Sequence, residues 1–189
     1  MDGRIFEAIN FAVEAHNGQF RKGTTIPYIV HPLIVMDTLI MHEANEDLVI
    51  AGVLHDVVED SQYTIEDIRE KFGDRVAELV GYATEPLKEL PWRERKQHTI
   101  NIVKDTEDED VLRLICADKL HNILSLRQEY QKYKLPEGGF DEDKIWSRFN
   151  APKEDQRWYY DELRKLFCEK NRENHLFGDF WVGVTIVFD

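Results

Sequence analysis

Three acidic residues crowd one short stretch of the sequence, the segment HDVVED at 55–60. On a helix, Asp56, Glu59 and Asp60 lie at positions i, i+3 and i+4 and share one face. Carboxylates this close repel one another unless a cation, a proton or solvent relieves the repulsion. Because residues 49–54 are almost wholly apolar, we expect a metal site at the edge of the core. A solvated acidic helix end is the alternative.

A further carboxylate, Asp118, lies on the apolar face of a predicted helix. A lone aspartate in such surroundings is costly unless it is paired or bound to a metal. Asn122, one turn later, and Ser125 share that face and present an amide and a hydroxyl group to the same space. The alternative is a buried carboxylate that pairs with an arginine or caps a helix.

Basic and imidazole side chains precede these acidic segments. His31 stands before Pro32 at the expected start of a helix, where a histidine is more often a cap or a surface residue than a ligand. Arg21 and Lys22 are adjacent in a loop, where such a pair is often only solvated surface. They also suit phosphate binding, since arginine makes forked contacts and lysine supplies a point charge.

Together, these segments offer two imidazoles and two carboxylates as ligands, with no thiol among them. The four residues are His31, His55, Asp56 and Asp118. This donor set favours a divalent ion such as Mn²⁺, Fe²⁺ or Zn²⁺ over a structural zinc. Open coordination positions on such an ion would serve metal-assisted hydrolysis of a phosphorylated compound.

The helical period of apolar residues runs through most of the first 170 residues and predicts one all-α domain over 1–170. Thr64 with Asp67, and Thr106 with Glu109, predict capping boxes at two helix starts. Asn45 is expected to cap a helix that continues through Asp60. The other main helices are expected over about 5–16, 31–43, 74–83, 92–104, 108–130 and 154–170. Aromatic residues at 146–149 are expected in the core, with a base-stacking wall as the alternative.

The end of the sequence departs from this pattern. Residues 180–188, FWVGVTIVF, are rich in β-branched and aromatic residues and predict a strand-like segment within a tail, 171–189. An apolar end must pack somewhere, because it otherwise forms a sticky edge. Packing on the domain's own surface and a contact between the subunits of a homo-oligomer are the two alternatives.

The composition of the chain argues against several classes of protein. The chain has 189 residues, 24 of them lysine or arginine and 37 aspartate or glutamate, so its net charge is −13. That balance argues against a nucleic-acid partner, which requires a basic face. The sequence has no signal-peptide core, and no apolar run reaches the roughly 18–20 residues that span a bilayer. Its two cysteines show no paired spacing, and we expect a cytoplasmic protein with no membrane partner.

Three segments, in this order, carry a family resemblance: RKGTTIPYIVHP at 21–32, GVLHDVVEDSQYTIEDIREKFGDRVAELV at 52–80 and ADKLHN at 117–122. The H…HD…D pattern is that of the HD phosphohydrolase superfamily. The two carboxylates after HD and the Arg-Lys loop make the chain resemble, more closely, the hydrolase domain of the RelA/SpoT alarmone family. The resemblance covers about residues 5–127. It implies a stand-alone, all-α hydrolase that uses Mn²⁺, with Fe²⁺, Zn²⁺ or Mg²⁺ as alternatives, to remove the 3′-pyrophosphate of (p)ppGpp.

The resemblance also implies roles for individual side chains. The metal ligands would be His31, His55, Asp56 and Asp118. The residues that support water attack and proton transfer would be Glu59 and Asp60. The contacts with the nucleotide would come from Arg21, Lys22, Asn122 and Ser125.

Two departures leave the substrate open. The loop 21–31 is one residue longer than in the long bifunctional members of that family, and Leu124 stands where those members often carry an arginine. One alternative is another HD phosphohydrolase, such as a nucleotidase for deoxynucleoside monophosphates, which has little use for the extra carboxylates or the Arg-Lys loop. The other is a module that senses a nucleotide without cleaving it, although the sequence retains every proposed metal ligand.

Overall fold

A computed structural model of the chain describes residues 3–85, 89–147 and 149–189. In these residues the secondary structure is helical apart from isolated β-bridges, so the all-α prediction is confirmed. The helices are α1 (Arg4–Ala15), α2 (Val30–Met41), α3 (Glu46–Leu54), α4 (Val57–Asp60), α5 (Ile65–Phe72), α6 (Asp74–Ala83), α7 (Trp92–Asp105), α8 (Glu109–Lys132), α9 (Glu142–Trp146), α10 (Lys153–Lys170) and α11 (His175–Phe188). Among the described residues, no helix has the length and apolar character needed to cross a membrane.

Two helices, α3 and α8, form the centre of the bundle. Every residue of α3 from Leu48 to Leu54 is buried, and the helix contacts α1, α2, α6 and α8. A helix that is apolar on all sides belongs in a core. The longer α8 contacts α2, α6, α7, α9 and α11 as well as α3. Side chains at the start of α2, at the end of α3 and in the middle of α8 therefore meet inside the molecule.

The helices α2 and α3 approach closely at Gly52. A Cβ atom at this position would lie 2.6 Å from Cδ1 of Leu39 and 3.4 Å from Cα of Met36, both on α2. The short connection between the two helices makes them antiparallel neighbours. As a result, the first turn of α2, with His31, lies beside the last turn of α3, which precedes His55.

Side-chain caps start several helices, and two of them were predicted. The Asn45 side chain accepts a hydrogen bond from the backbone N–H of Leu48 at the start of α3, and Thr64 with Asp67 forms a complete capping box on α5. The predicted capping box of Thr106 with Glu109 is wrong, because Asp108 caps α8 by accepting from the N–H of Asp110. The hydroxyl oxygen of Thr106 accepts from the N–H of Asp108 instead, so it supports the cap.

The predicted helix from Asn45 to Asp60 is divided in two. It is interrupted at His55 and Asp56, between the end of α3 and the start of α4. Both residues keep backbone angles of the right-handed helical region, so the interruption is slight. The carbonyl of Asp56 still accepts from the N–H of Asp60 at 3.0 Å, so Glu59 and Asp60 follow Asp56 by one turn, as predicted.

The strand-like prediction for 180–188 is wrong, because this segment lies in helix α11. Its apolar residues also follow a helical spacing, and Phe180, Val184 and Phe188 are buried. Helix α11 packs against α8 and α10, and these tertiary contacts override the local preference for a strand. The buried side of the segment therefore packs on its own chain.

Candidate functional site

Four side chains from three parts of the chain converge at the end of α3. The Nε2 atom of His31 lies 3.2 Å from Nε2 of His55, 3.1 Å from Oδ1 of Asp118 and 3.4 Å from Oδ2 of Asp56. The Nε2 atom of His55 lies 3.1 Å from Oδ2 of Asp56 and 3.8 Å from Oδ1 of Asp118. Both imidazoles are buried, and the two carboxylates are 15% and 11% exposed. The structure thus brings together the four residues predicted as metal ligands.

Each carboxylate of this cluster is held by a second contact. The hydroxyl group of Tyr28 donates to Oδ2 of Asp56 at 2.7 Å. Asn122 donates to Oδ1 of Asp118 at 2.7 Å, and Lys119 donates to its Oδ2 at 2.6 Å. These contacts come from the loop before α2 and from α8, so elements outside α3 help to hold the two carboxylates in place.

The cluster has the chemistry of a divalent metal site. The Nδ1 atom of His55 donates to the carbonyl oxygen of Gly52 at 2.8 Å, so its Nε2 atom faces the cluster and can act as a ligand when it carries no proton. Imidazole nitrogens and carboxylate oxygens thus converge around one point, and a cation bound between them would stabilise such a group. Ligand atoms about 2.0–2.2 Å from an ion lie about 3.0–3.6 Å from one another, which matches most of the distances found here. His31, His55 and Asp118 alone place three ligand atoms within 4.8 Å of one another.

The pKa values in the cluster also reflect a preference for positive charge. Burial alone would lower the pKa of His55, but Asp56, Asp118 and the carbonyl of Gly52 together outweigh burial, and the pKa rises to about 9. Burial opposes the ionisation of Asp56, yet His55 holds the pKa of that carboxyl well below its usual range. At Asp118, Lys119, His31 and His55 together outweigh burial and lower the pKa. The site therefore stabilises a cation next to two ionised carboxylates.

A cavity of about 300 Å³ opens beside the cluster, and its wall carries both signs of charge. The acidic side chains that line it are Asp56, Glu59, Asp60, Glu85 and Asp118. The basic ones are Arg21, Lys22, Arg95, Lys96 and Lys119. Both proposed catalytic carboxylates and both residues of the Arg-Lys loop thus share one cavity with the His/Asp cluster.

Glu59 is the carboxylate of this wall with a raised pKa. Burial is the main cause, and the negative charges of Asp56, Glu85 and Asp60 add to it. Its Oε2 atom accepts from the backbone N–H of Glu85 at 3.3 Å. A carboxylate with a raised pKa holds a proton closer to neutral pH, which suits proton transfer.

The Arg-Lys loop is anchored across the cavity. Arg21 donates to Oδ1 of Asn122 at 2.8 Å, and its guanidinium lies 5.5 Å from the ring centroid of Tyr28. Lys22 donates to Oδ1 of Asn150 at 2.6 Å. Since Asn122 also binds Asp118, one amide links the basic loop to the His/Asp cluster.

The second half of the basic wall was missed by the sequence analysis. Arg95 and Lys96 on α7 both pair with the buried carboxylate of Glu85. Burial and the nearby charge of Lys119 lower the pKa of Lys96, although Glu85 opposes this. In the sequence, the run of charges at 93–96 has the pattern of a solvated helix face, and only the packing of α7 turns part of it inward.

Ser125 lies apart from the acidic wall. It lines a second cavity, of about 380 Å³, which shares Arg21, Lys22, Tyr28, His31 and Phe149 with the first. Its hydroxyl oxygen lies 3.3 Å from Nε2 of His121, a residue that the sequence analysis also left unassigned.

The aromatic residues near 146–149 divide between core and cavity. The ring of Trp146 packs against the rings of Tyr130 and Phe188, as core packing predicts. Phe149 lines both cavities, while Arg148, between the two aromatic residues, lies outside the described residues. The base-stacking alternative therefore concerns Phe149 and not Trp146.

A family model described as HD domain matches residues 8–157. The chain belongs to the HD domain family. This HD domain is 37% identical over 120 residues to the guanosine-3′,5′-bis(diphosphate) 3′-pyrophosphohydrolase of Haemophilus influenzae, covering 61% of this chain and 17% of that protein. It is 39% identical over 132 residues to the protein of the same name from Aquifex aeolicus, covering 68% and 19%.

Not every relative of this HD domain carries that name. A GTP pyrophosphokinase of Streptomyces coelicolor is 39% identical over 142 residues, covering 71% of this chain and 16% of that protein. The chain therefore spans less than a fifth of the length of these curated relatives.

Solved structures share the fold of this HD domain. A crystal structure from Listeria monocytogenes has a TM-score of 0.72 and 34% identity, covering 88% of this chain and 100% of that one. A metazoan SpoT orthologue described as hydrolysing ppGpp has a TM-score of 0.73 over 100% of this chain and 95% of that one. Because the metazoan protein is 24% identical, its similarity to this chain supports the fold alone.

Proposed function

We propose that this HD domain is a metal-dependent hydrolase that removes the 3′-pyrophosphate of (p)ppGpp, giving GDP or GTP and pyrophosphate. One observation carries the proposal: the Arg-Lys loop and the two carboxylates after HD line the same cavity as the His/Asp cluster. The names of the Haemophilus influenzae and Aquifex aeolicus relatives support this substrate. A general HD phosphohydrolase has less use for these additions.

A divalent ion fits the donor set described above, and we propose Mn²⁺ first, with Fe²⁺, Zn²⁺ or Mg²⁺ as alternatives. The side chains that would hold it are His31, His55, Asp56 and Asp118. When bound, such an ion polarises a phosphoryl oxygen and lowers the pKa of water.

The carboxylates of Glu59 and Asp60 would transfer the proton of the attacking water. Glu59 would orient the attacking water and accept its proton, because its raised pKa brings proton exchange closer to neutral pH. Asp60, one residue later, lines the same cavity and would assist it. Positioned acid–base groups of this kind typically contribute about 10²–10⁴-fold to a rate.

The basic wall would hold the phosphate groups. Arg21 and Lys22 would neutralise one end of the polyanion, and Arg95, Lys96 and Lys119 the other. These cations are needed because the chain carries a net charge of −13 and repels anions at a distance.

The second cavity would receive the nucleoside. Its wall includes Ile26, Val30, Ile34 and Phe149, which offer apolar surface to a base. Ser125 would contact the nucleoside there, and Asn122 would orient Arg21 between the two cavities.

The test is a product analysis of the Mn²⁺-loaded protein with ppGpp by anion-exchange chromatography. We expect GDP and pyrophosphate from the wild type and from Asp37→Asn, an exposed aspartate on α2. Asp56→Asn should lose at least about 10²-fold in rate, because it disturbs the cluster. Phosphate release from deoxynucleoside monophosphates, with ppGpp left intact, would favour the nucleotidase alternative. Tight binding of ppGpp without cleavage would favour a sensing module.

A cytoplasmic location and a small nucleotide as the main partner belong to the same proposal. Self-association through α11 also stays a prediction, based on the exposed Trp181, Val182 and Ile186. Light scattering on the purified protein tests it, and a mass of 22.3 kDa would contradict it.

A further inference from the structure

The two histidines of the cluster are oriented by different partners. His55 donates from Nδ1 to the carbonyl oxygen of Gly52, which accepts hydrogen bonds and cannot donate them. His31 also turns Nε2 toward the cluster, but its Nδ1 atom contacts Nδ1 of His121. A metal-binding histidine commonly donates its other ring N–H to a carboxylate, a backbone carbonyl or water. Here, the corresponding partner is a second imidazole.

The geometry of His121 suits an acceptor. It lies on α8, one turn after Asp118, and its ring is nearly parallel to that of His31, with an interplanar angle of 21° and centroids 4.8 Å apart. Its other nitrogen, Nε2, lies 3.3 Å from the hydroxyl oxygen of Ser125. The N–H at Nε2 can thus donate to Ser125 while Nδ1 accepts from His31.

We propose that His121 is a positioning residue that fixes the tautomer and the ring orientation of His31, and that Ser125 in turn fixes His121. The chain of donors runs from His31 Nδ1–H to His121 Nδ1, and from His121 Nε2–H to the Ser125 hydroxyl oxygen. This arrangement keeps the Nε2 atom of His31 turned toward Asp118 and His55. The metal role of His31 rests on the proposed function, whereas its tautomer can be measured in the metal-free protein.

Two substitutions distinguish the effect of the acceptor nitrogen of His121 from the effect of its aromatic ring. His121→Phe keeps an aromatic ring beside His31 but removes the acceptor, while His121→Gln keeps a carbonyl oxygen that can accept from Nδ1–H. We expect His121→Phe to weaken Mn²⁺ binding by about 10–100-fold, measured by isothermal titration calorimetry. His121→Gln should stay within about fivefold of the wild type. Ser125→Ala should weaken binding by about threefold, since it removes only the outermost contact.

A second readout needs no metal. Multiple-bond ¹⁵N–¹H NMR of the imidazoles should show a proton on Nδ1 of His31, whether or not Nε2 is also protonated, in the wild type and in His121→Gln. In His121→Phe we expect a mixture of tautomers, with a thermal unfolding midpoint that shows the variant is folded. Wild-type Mn²⁺ affinity and an unchanged His31 tautomer in His121→Phe would overturn the positioning role and leave the proposed function intact. If the wild type binds no Mn²⁺, the proposed metal site is wrong. The role of His121 would still hold in that case, provided that the Nδ1–H of His31 depends on His121.

Discussion

The hydroxyl group of Tyr28 donates a hydrogen bond to Oδ2 of Asp56 across 2.7 Å. This bond joins the loop before α2 to the turn between α3 and α4. The ring of Tyr28 packs against the ring of His16, with centroids 5.0 Å apart. Burial and the charge of Asp56 raise the pKa of Tyr28, so the phenol keeps its proton and remains a donor at neutral pH. Tyr28 therefore fixes the orientation of one carboxylate of the cluster.

Replacing Tyr28 with phenylalanine should weaken Mn²⁺ binding by about tenfold, because Asp56 loses the donor that orients it. The free energy of unfolding should change by only about 1 kcal/mol. Titration calorimetry and urea denaturation measure the two quantities. Tyr82→Phe is the matched control, since Tyr82 is 40% exposed on α6, and both quantities should stay at wild-type values. Equal Mn²⁺ affinities in the two variants would show that Asp56 needs no such donor.

Glu59→Gln should lower the rate of ppGpp hydrolysis by at least about 10²-fold, because an amide cannot accept the proton. Mn²⁺ affinity should stay within about threefold of the wild type, since Glu59 lies outside the four-residue cluster. Steady-state kinetics and calorimetry separate these effects. Glu66→Gln, at an exposed position on α5, provides the control. Undiminished turnover in Glu59→Gln would assign Glu59 a structural role only.

Glu85→Gln should have two opposite effects. The carboxylate of Glu85 is 8% exposed and pairs with Arg95 and Lys96, so its loss leaves two largely buried cations uncompensated. We expect the free energy of unfolding to fall by about 3 kcal/mol. The same change makes the cavity more positive, and the affinity for inorganic pyrophosphate should rise by about fivefold.

Urea denaturation and calorimetry with pyrophosphate test this pair of effects. Glu94→Gln, at an exposed position on α7, the helix of Arg95 and Lys96, should change neither quantity. Weaker pyrophosphate binding in Glu85→Gln would show that Arg95 and Lys96 do not face the ligand.

Acid should destabilise the start of α8 through Asp108. Its carboxylate accepts two hydrogen bonds from Arg75, at 2.7 and 2.9 Å, which lower the pKa of Asp108 below 3.8. Because the pKa is lower in the folded state, this contact stabilises the protein above about pH 4, and the stabilisation disappears as the pH falls through the lowered value.

Asp108→Asn measures that contribution, since asparagine also caps helices but carries no charge. At pH 6, the variant should be less stable than the wild type by about 1 kcal/mol, a typical value for a partly exposed ion pair. The difference should shrink as the pH falls from about 4 to 2. Urea denaturation over this range measures it, and a difference that does not depend on pH would contradict an ionic contribution.

Local signals in the sequence predicted most of the helices. The periods of apolar residues and the caps at Asn45 and Thr64 act within one or two turns. They placed the main helices to within two residues of their observed bounds, except that the helix predicted through Asp60 ends at Leu54 and α9 was not predicted. α11 was not predicted because β-branched residues favour strands only on average. Its helical state depends on α8 and α10, which lie far away in the sequence.

The candidate site was predictable where the residue type itself carries the chemistry. His31, His55, Asp56 and Asp118 are common metal ligands, and their spacing resembles a known family pattern. Arg95, Lys96 and Glu85 were missed because a charged helix face is usually solvated, and only tertiary packing turns it into a cavity wall. His121 was missed for a related reason, since its partner, His31, belongs to another helix.

The close approach at Gly52 limits which residues can occur together in related sequences. A methyl group at position 52 would take the space now filled by the end of Leu39, so the two positions share one volume. Related chains with alanine at position 52 are therefore expected to carry valine or alanine at position 39. An alignment of homologues should show this covariation, and in the laboratory Leu39→Val should restore part of the stability lost in Gly52→Ala.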